Sequence, residues 1–224
     1  CMSKERKLRA VVFDLDGLMF NTEELYEEVG SEILRRRDKV CTRELLDQMM
    51  GRPGRVALQI MIDFHGLEAS VDQLQSETDE IFSKLLPERL QPMPGLLDLL
   101  GALEGARIPK AIATSSRRKF VDSALAMFDL APRFEFVLSS EDVVKGKPHP
   151  EVYLAAATRL EVAPEAMMVL EDSQNGCAAA VAAGAFAVAV PGPQSTRHTY
   201  EGAQLVAVGL GDPGIYAALE ITPR

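Results

Sequence analysis

Two carboxylates two residues apart, Asp14 and Asp16, follow a short apolar run and precede a glycine in Val11-Val12-Phe13-Asp14-Leu15-Asp16-Gly17-Leu18. Residues at i and i+2 of an extended segment point to one side, so the end of a strand would carry both acids on one face. Like charges that close repel unless a cation neutralises them or one carboxyl keeps its proton. That pattern points to metal-assisted or acid–base chemistry, and three other readings compete with it. An EF-hand loop also begins with two acids two apart, but its glycine comes later and a bidentate glutamate closes it. Here Gly17 comes too early and Leu25 stands at the closing place. A solvated turn with two chance acids leaves the apolar run before it unexplained. A receiver domain with a phosphorylatable aspartate stays open from this stretch alone, because it too sets acids at strand ends.

The elements that must position these acids follow from periodicity. Leu8–Phe13, apolar and rich in β-branched residues, reads as a buried strand. Thr22-Glu23-Glu24 has the hydroxyl and acids of a helix start, and Leu25, Val29 and Ile33 recur at helical spacing. Helical patterns continue over Thr42–Met50, Arg55–Phe64 and Val71–Leu86 with no strand between them. Gly51-Arg52-Pro53-Gly54-Arg55 reads as a tight connector, and its arginines are placed to grip an anion or simply to be solvated. Pro87 and Pro92-Met93-Pro94-Gly95 mark the exit from this helical stretch.

Beyond them the pattern alternates. Strands are predicted at Pro109–Ala113, Phe134–Leu138, Met167–Leu170, Phe186–Val190 and Leu205–Val208. Helices are predicted at Leu96–Glu104, Phe120–Phe128, Glu151–Leu160 and Asn175–Ala183. Strands alternating with helices imply right-handed crossovers and a parallel sheet covered on both faces. The expected fold is therefore α/β, a Rossmann-like parallel-sheet core formed by residues 1–21 and 92–224. A small all-helical domain, residues 22–91, is inserted after its first strand.

Ligands of open parallel sheets bind outside the carboxyl ends of the strands. Asp14 and Asp16 follow the first strand, and Thr114-Ser115-Ser116 the second. Lys145-Gly146-Lys147-Pro148 follows the third at a distance, and Glu171-Asp172-Ser173 the fourth. Each has a bland reading alone: a helix cap, a surface lysine in a turn, acids favoured by a helix dipole. Together they place acids, hydroxyls and a lysine at one edge of one sheet.

With 24 basic and 33 acidic residues the net charge is −9, which argues against a nucleic-acid or anionic-membrane partner. At 47% hydrophobic and 25% charged, the composition is that of an ordinary globular protein. Cys41 and Cys177 lie far apart without metal-ligand spacing and read as reduced thiols; Cys1, ahead of Met2, is left out of the argument. The longest apolar run, Cys177 to Val190, is too short to span a bilayer, and no secretory signal is visible. The expectation is a cytoplasmic protein.

The four segments resemble the four motifs of the haloacid dehalogenase superfamily: Phe-Asp14-Leu-Asp16-Gly17, Ala-Thr114-Ser-Ser, Gly-Lys147-Pro-His-Pro and Leu-Glu171-Asp172-Ser-Gln-Asn-Gly. The helical insert falls where the subfamily with a small helical cap carries it. Within that subfamily the wording is similar to pseudouridine 5′-phosphatases, 2-deoxyglucose-6-phosphate phosphatases and β-phosphoglucomutases. One departure is Asn21, where many relatives carry aspartate. The receiver-domain reading recedes, since such domains have no helical insert after the first strand.

The resemblance implies a Mg²⁺-dependent phosphatase, acting as a monomer on a small sugar or nucleoside phosphomonoester. Asp14 would be the nucleophile, and Asp16 the general acid and base. Mg²⁺ would be held by Asp14, the Asp16 carbonyl, Asp172 and, as an accessory ligand or outer acceptor, Glu171. Thr114 and the backbone around Leu15, Gly17 and Ser115 would cradle the phosphoryl oxygens, while Lys147 restrains Asp14. Tyr26, Arg52 and Arg55 are the expected substrate-reading groups of the cap. A phosphoglucomutase-type isomerase is the alternative, and a non-catalytic phosphate-binding protein a third reading. Against the mutase, Tyr26 stands where resembling mutases carry a histidine, and the cap's His65 is expected exposed at the far end of another helix.

Overall fold

A computed structural model describes residues 7–49, 54–195 and 198–223. The chain divides into two compact units, Cys1–Asn21 with Gln91–Arg224, and Thr22–Leu90.

The first unit is built on six parallel strands: β1 (Ala10–Phe13), β2 (Lys110–Ala113), β3 (Val137–Leu138), β4 (Met167–Glu171), β5 (Phe186–Ala189) and β6 (Leu205–Val206). Their order is β3-β2-β1-β4-β5-β6. The chain thus winds outward one way from β1 and then, from β4, the other way, opening a crevice at the carboxyl ends of β1 and β4. β1, β2 and β4 are buried along their whole length, and their sequences are apolar except for Lys110 at the start of β2 and Glu171 at the end of β4. Crossover helices α5 (Leu96–Gly105), α6 (Arg118–Met127), α7 (Glu151–Arg159) and α8 (Gln174–Ala182) follow the alternation. A core of Val12, Ala111, Leu138, Tyr153, Val169, Ala179 and Ala187 packs α7 and α8 against the sheet.

The second unit holds α1 (Thr22–Arg35), α2 (Arg43–Met49), α3 (Gly54–His65) and α4 (Val71–Arg89). Leu25, Val29 and Ile33 of α1 are buried, as are Leu74, Ile81 and Phe82 of α4. Arg37, in the turn after α1, donates through its two terminal nitrogens Nη1 and Nη2 to Glu77 of α4 at 2.9 and 2.5 Å. Ser70 and Gln73 form a reciprocal capping box at the start of α4. None of the helices among the described residues is long and apolar enough to cross a membrane.

Local departures from the sequence reading have physical causes. Pro87 does not end α4, which runs on to Arg89. In a last turn proline forfeits one backbone bond while its fixed φ remains helical. Of Phe134–Leu138, Val137–Leu138 forms the assigned strand, while Glu135 donates to the Lys110 carbonyl at 2.9 Å and Phe136 accepts from Ile112 at 3.1 Å; Phe134 follows a 3₁₀ turn and packs edge-on against Phe13 at 5.8 Å. The final strand stops at Val206, and Val208 is exposed. A helix that the pattern did not suggest, α9 (Pro213–Ala218), begins at Asp212, whose side chain accepts from the Gly214 N–H at 2.7 Å.

Candidate active site

Asp14 is the first residue beyond β1, and its N–H continues the ladder to the Leu170 carbonyl at 3.0 Å. The chain then doubles back. Met19 and Phe20 donate to the Leu15 carbonyl at 3.0 and 3.2 Å, and Gly17 donates to Phe20 at 3.0 Å. That turn needs φ +74° at Gly17, a conformation that a side chain disfavours. It holds Asp16 beside the end of β2. There Thr114 Oγ1 and Ser116 Oγ both donate to Asp16 Oδ2, at 3.3 and 2.5 Å. Thr114 Oγ1 in turn accepts the Ser116 N–H at 3.0 Å, so the two hydroxyls are fixed relative to each other.

Lys147 arrives on the loop between β3 and α7. Glu151, in the first turn of α7, anchors that loop by accepting the Val144 and Lys145 N–H groups at 2.7 and 3.0 Å. The ammonium spends its three donors on Asp14 Oδ1 at 2.5 Å, Glu171 Oε1 at 2.6 Å and the Ala113 carbonyl at 3.0 Å. It thereby ties the ends of β1, β2 and β4 together.

Glu171, the last residue of β4, is 1% exposed. Its Oε1 accepts from Lys147 and, at 2.6 Å, from the Tyr153 hydroxyl. Its Oε2 accepts from the Ser173 hydroxyl and N–H at 3.0 and 3.3 Å. Four donors meet the four lone-pair sites of a carboxylate. Ser173 also caps α8, accepting the Gly176 N–H at 3.1 Å. Asp172 is buried beside it, and its carbonyl accepts from the Tyr200 hydroxyl at 2.8 Å.

The charges in this crevice perturb one another. Burial pushes the Asp14 carboxyl well above the ordinary aspartate range against the pull of Lys147, and Glu171 and Asp16 add to the rise. Burial by itself would discharge Lys147, but Asp14 and Glu171 more than offset it and hold the ammonium above the usual lysine value. Burial and the neighbouring Glu171 likewise raise the Tyr153 phenol, so it stays a hydrogen-bond donor.

Carboxylate oxygens of Asp14, Glu171 and Asp172 lie within 4.8 Å of one another, all three residues buried. Ionised, they bring three negative charges against the single positive charge of Lys147, leaving an excess that a divalent cation would balance. Hard oxygen donors of this kind suit Mg²⁺. Glu171 already accepts from four donors, so Asp14 and Asp172 are the side chains of the group that fit that ion.

The structure thus brings together Asp14, Asp16, Thr114, Lys147, Glu171 and Asp172 at one sheet edge. Leu15 is buried within the turn, and Ser115 lies exposed between the two bonding hydroxyls. Tyr26 and Arg55 belong to the helical unit: Tyr26 stacks on Phe82 at 4.7 Å, and Arg55 pairs with Asp72 at 2.7 Å. Arg52 lies outside the described residues. His65, expected to be exposed, is half-buried with its ring edge-on to Phe64 at 4.9 Å, because α3 turns that side toward its own unit. Tyr153 was not singled out, and no role of its own was given to Ser116, Ser173 or Gly176. The signal for the last two was present in Glu171-Asp172-Ser173-Gln174-Asn175-Gly176, a helix cap three residues ahead of a glycine.

Comparison with known proteins follows the same residues. A family profile described as haloacid dehalogenase-like hydrolase matches residues 11–190. The chain is 33% identical over 177 residues to the "Phosphorylated carbohydrates phosphatase" of Thermotoga maritima, covering 79% of this chain and 82% of that protein. It is also 33% identical over 213 residues to the "Probable pseudouridine-5′-phosphatase" of Drosophila melanogaster, covering 92% of each. Among solved structures, a "putative beta-phosphoglucomutase" from Thermotoga maritima superposes with TM-score 0.77 at 30% identity, over 95% of this chain and 97% of that one.

Proposed function

The chain belongs to the haloacid dehalogenase-like hydrolases, and from that premise we propose that it is a Mg²⁺-dependent phosphatase working through an aspartyl-phosphate. Its substrate is a small sugar or nucleoside phosphomonoester, the class named in its phosphatase relatives. The observation that carries this reading is the contrast between two acids two residues apart. Asp14 is clamped by an ammonium at 2.5 Å, whereas Asp16 Oδ2 accepts from the Thr114 and Ser116 hydroxyls. Lys147 pulls against the burial that raises Asp14 and favours the carboxylate that attacks, while Asp16, reached by hydroxyls rather than by the ammonium, is the acid placed to exchange a proton.

In the first half-reaction an Asp14 carboxylate oxygen bonds to phosphorus as the bond to the substrate oxygen breaks. Asp16 gives its proton to that departing oxygen. In the second half, Asp16, now ionised, takes a proton from water as the water oxygen bonds to phosphorus and Asp14 is released with inorganic phosphate. Lys147 keeps Asp14 aligned and offsets charge on the transferring group, and Thr114 with the backbone at Leu15, Gly17 and Ser115 receives its oxygens. Asp14, Asp172 and the Asp16 carbonyl would hold Mg²⁺, with Glu171 behind them fixing Lys147. When bound, the ion removes the repulsion between carboxylate and phosphate and polarises phosphorus.

The unit Thr22–Leu90 serves as a cap whose Tyr26, Arg52 and Arg55 read the rest of the substrate, excluding water during transfer. A panel of phosphorylated metabolites, assayed for phosphate release with and without Mg²⁺, tests the proposal. Release of phosphate from a sugar or nucleoside monophosphate only when Mg²⁺ is present supports it. Equal release after chelation, or none from any member, overturns it.

A further inference from the structure

We propose that Tyr153 is a positioning residue for the reaction, acting through Glu171 to fix Lys147 on Asp14; this rests on the phosphatase reading above. Tyr153 comes from α7 and is wholly buried between that helix and the sheet. A tyrosine used only to fill a core has no need to aim its hydroxyl at an acid, and phenylalanine would fill the space with no polar atom to satisfy. Here the hydroxyl donates to Glu171 Oε1 at 2.6 Å, the same oxygen that Lys147 reaches at 2.6 Å. The ring also lies under the lysine, with Nζ 5.0 Å from its centroid, within cation–π range. One side chain thus touches both partners of the clamp, from below and from the side.

The geometry gives Tyr153 two tasks. By donating to Oε1 it holds the Glu171 carboxylate in one rotamer, with Ser173 holding Oε2. By its ring face it closes the side from which Lys147 could swing away. Lys147 is left with one arrangement, in which Asp14 Oδ1 is engaged and oriented. Removing the hydroxyl leaves Glu171 short of a buried donor and lets its carboxylate turn, so the ammonium loses its fixed seat. Tyr153 touches no reacting atom, and its effect passes entirely through Lys147.

A double-mutant cycle decides the matter. Tyr153→Phe, Lys147→Ala and the double variant are assayed for Mg²⁺-dependent release of phosphate from p-nitrophenyl phosphate. In parallel, urea midpoints are measured for all four proteins. Tyr153→Phe keeps the ring and the volume, so the fold is retained. Expected is a fall in kcat of about tenfold with KM within twofold, because the clamp matters to the transferring group more than to binding. In the Lys147→Ala background the same change should alter kcat less than twofold, since nothing remains to be positioned. The urea cycle should show coupling of the same sign, with Tyr153→Phe shifting the midpoint less once Lys147 is gone. An equal fold loss in both backgrounds, or a single variant with wild-type kcat, overturns the positioning role and leaves Tyr153 a core residue. If the wild-type protein releases no phosphate, the phosphatase reading fails instead. The urea cycle then still decides whether Tyr153 and Lys147 are coupled, and additive midpoints would reject the proposal.

Discussion

Gly176 leaves open the space that Glu171 occupies: a Cβ placed at Gly176 would stand 1.7 Å from Glu171 Oε1 and 1.9 Å from its carboxyl carbon. The glycine is not needed for its φ; it lies in the first turn of α8, and what it provides is room. Through that gap the carboxylate rests on the N-terminal turn of α8, where the helix dipole and the Ser173 N–H and hydroxyl favour a negative charge. Glu171 then meets Lys147 in front and Tyr153 behind. The seat of the lysine therefore depends on the absence of one methyl group two elements away.

Gly176→Ala is expected to displace Glu171 and unseat Lys147. Overpacking of this kind costs about 1–3 kcal/mol of stability, which urea midpoints would register. Phosphate release should fall further than the lost folded fraction explains. A variant with unchanged midpoint and rate would show that Glu171 has another seat.

Asp14→Asn should abolish turnover while leaving the fold intact, because an amide is no nucleophile and asparagine fills the same volume. Circular dichroism and the urea midpoint report the fold, and phosphate release reports turnover. Undiminished release would remove Asp14 from the role of nucleophile.

Lys147→Ala should cost about 2–4 kcal/mol of transition-state stabilisation, by analogy with deleting an oxyanion donor. It also leaves Asp14 and Glu171 facing each other without the cation that separates them. A loss in kcat/KM below tenfold would reduce Lys147 to a turn residue.

The sheet was legible because its central strands are buried and read as runs that are apolar but for Lys110 and Glu171, and polar segments follow four of its strands. The short edge strand was read long: a 3₁₀ turn at Ala131–Arg133 directly precedes it, and Glu135 and Phe136 each make one backbone bond to β2 ahead of the strand Val137–Leu138. The charged groups proposed for the site, Asp14, Asp16, Glu171 and Asp172 at strand ends and Lys147 on a loop, stand out in sequence. Those that hold them do not. Tyr153 sits in Val152-Tyr153-Leu154, indistinguishable from any core stripe, and only its 2.6 Å contact with Glu171 separates it from one. Ser116 looked like one of several helix caps, and its bond to Asp16 depends on a fold-back at Gly17 that no local pattern specifies.

Acid stability should depend on Glu104. The Arg133 guanidinium, with Lys110 adding to it, holds the Glu104 carboxyl at about 2 against an ordinary value of 4.5. A carboxyl lowered in the folded state stabilises the protein above its unfolded value and loses that contribution as pH falls toward the folded one. The window is therefore from 4.5 down to about 2. Glu104 is 41% exposed, so solvent screens the pair and the net effect at pH 7 is about 1 kcal/mol at most. Glu104→Gln should lower the urea midpoint at pH 7 and converge on the wild type as pH drops below 4. A constant difference between pH 7 and 3 would mean that packing, not charge, is lost.

Hydrolysis and phosphoryl transfer between sugar positions share the Asp14 chemistry and differ in what meets the aspartyl-phosphate next. A mutase must keep water away while a bisphosphate turns round, which requires cap groups that hold the second phosphate and couple sugar binding to the general acid and base. Tyr26, on α1, has no group that titrates near neutral pH, and its ring is stacked on Phe82 at 4.7 Å. His65 sits at the end of α3 with its ring against Phe64, half-buried within its own unit. Neither is suited to that coupling, although Arg52 or Arg55 could hold a distal phosphate. Water should therefore win. The check supplies β-glucose 1-phosphate, Mg²⁺ and a glucose bisphosphate primer and follows both products. Inorganic phosphate is expected to accumulate ahead of glucose 6-phosphate; the reverse order would make the chain a mutase that uses the same clamp on Asp14.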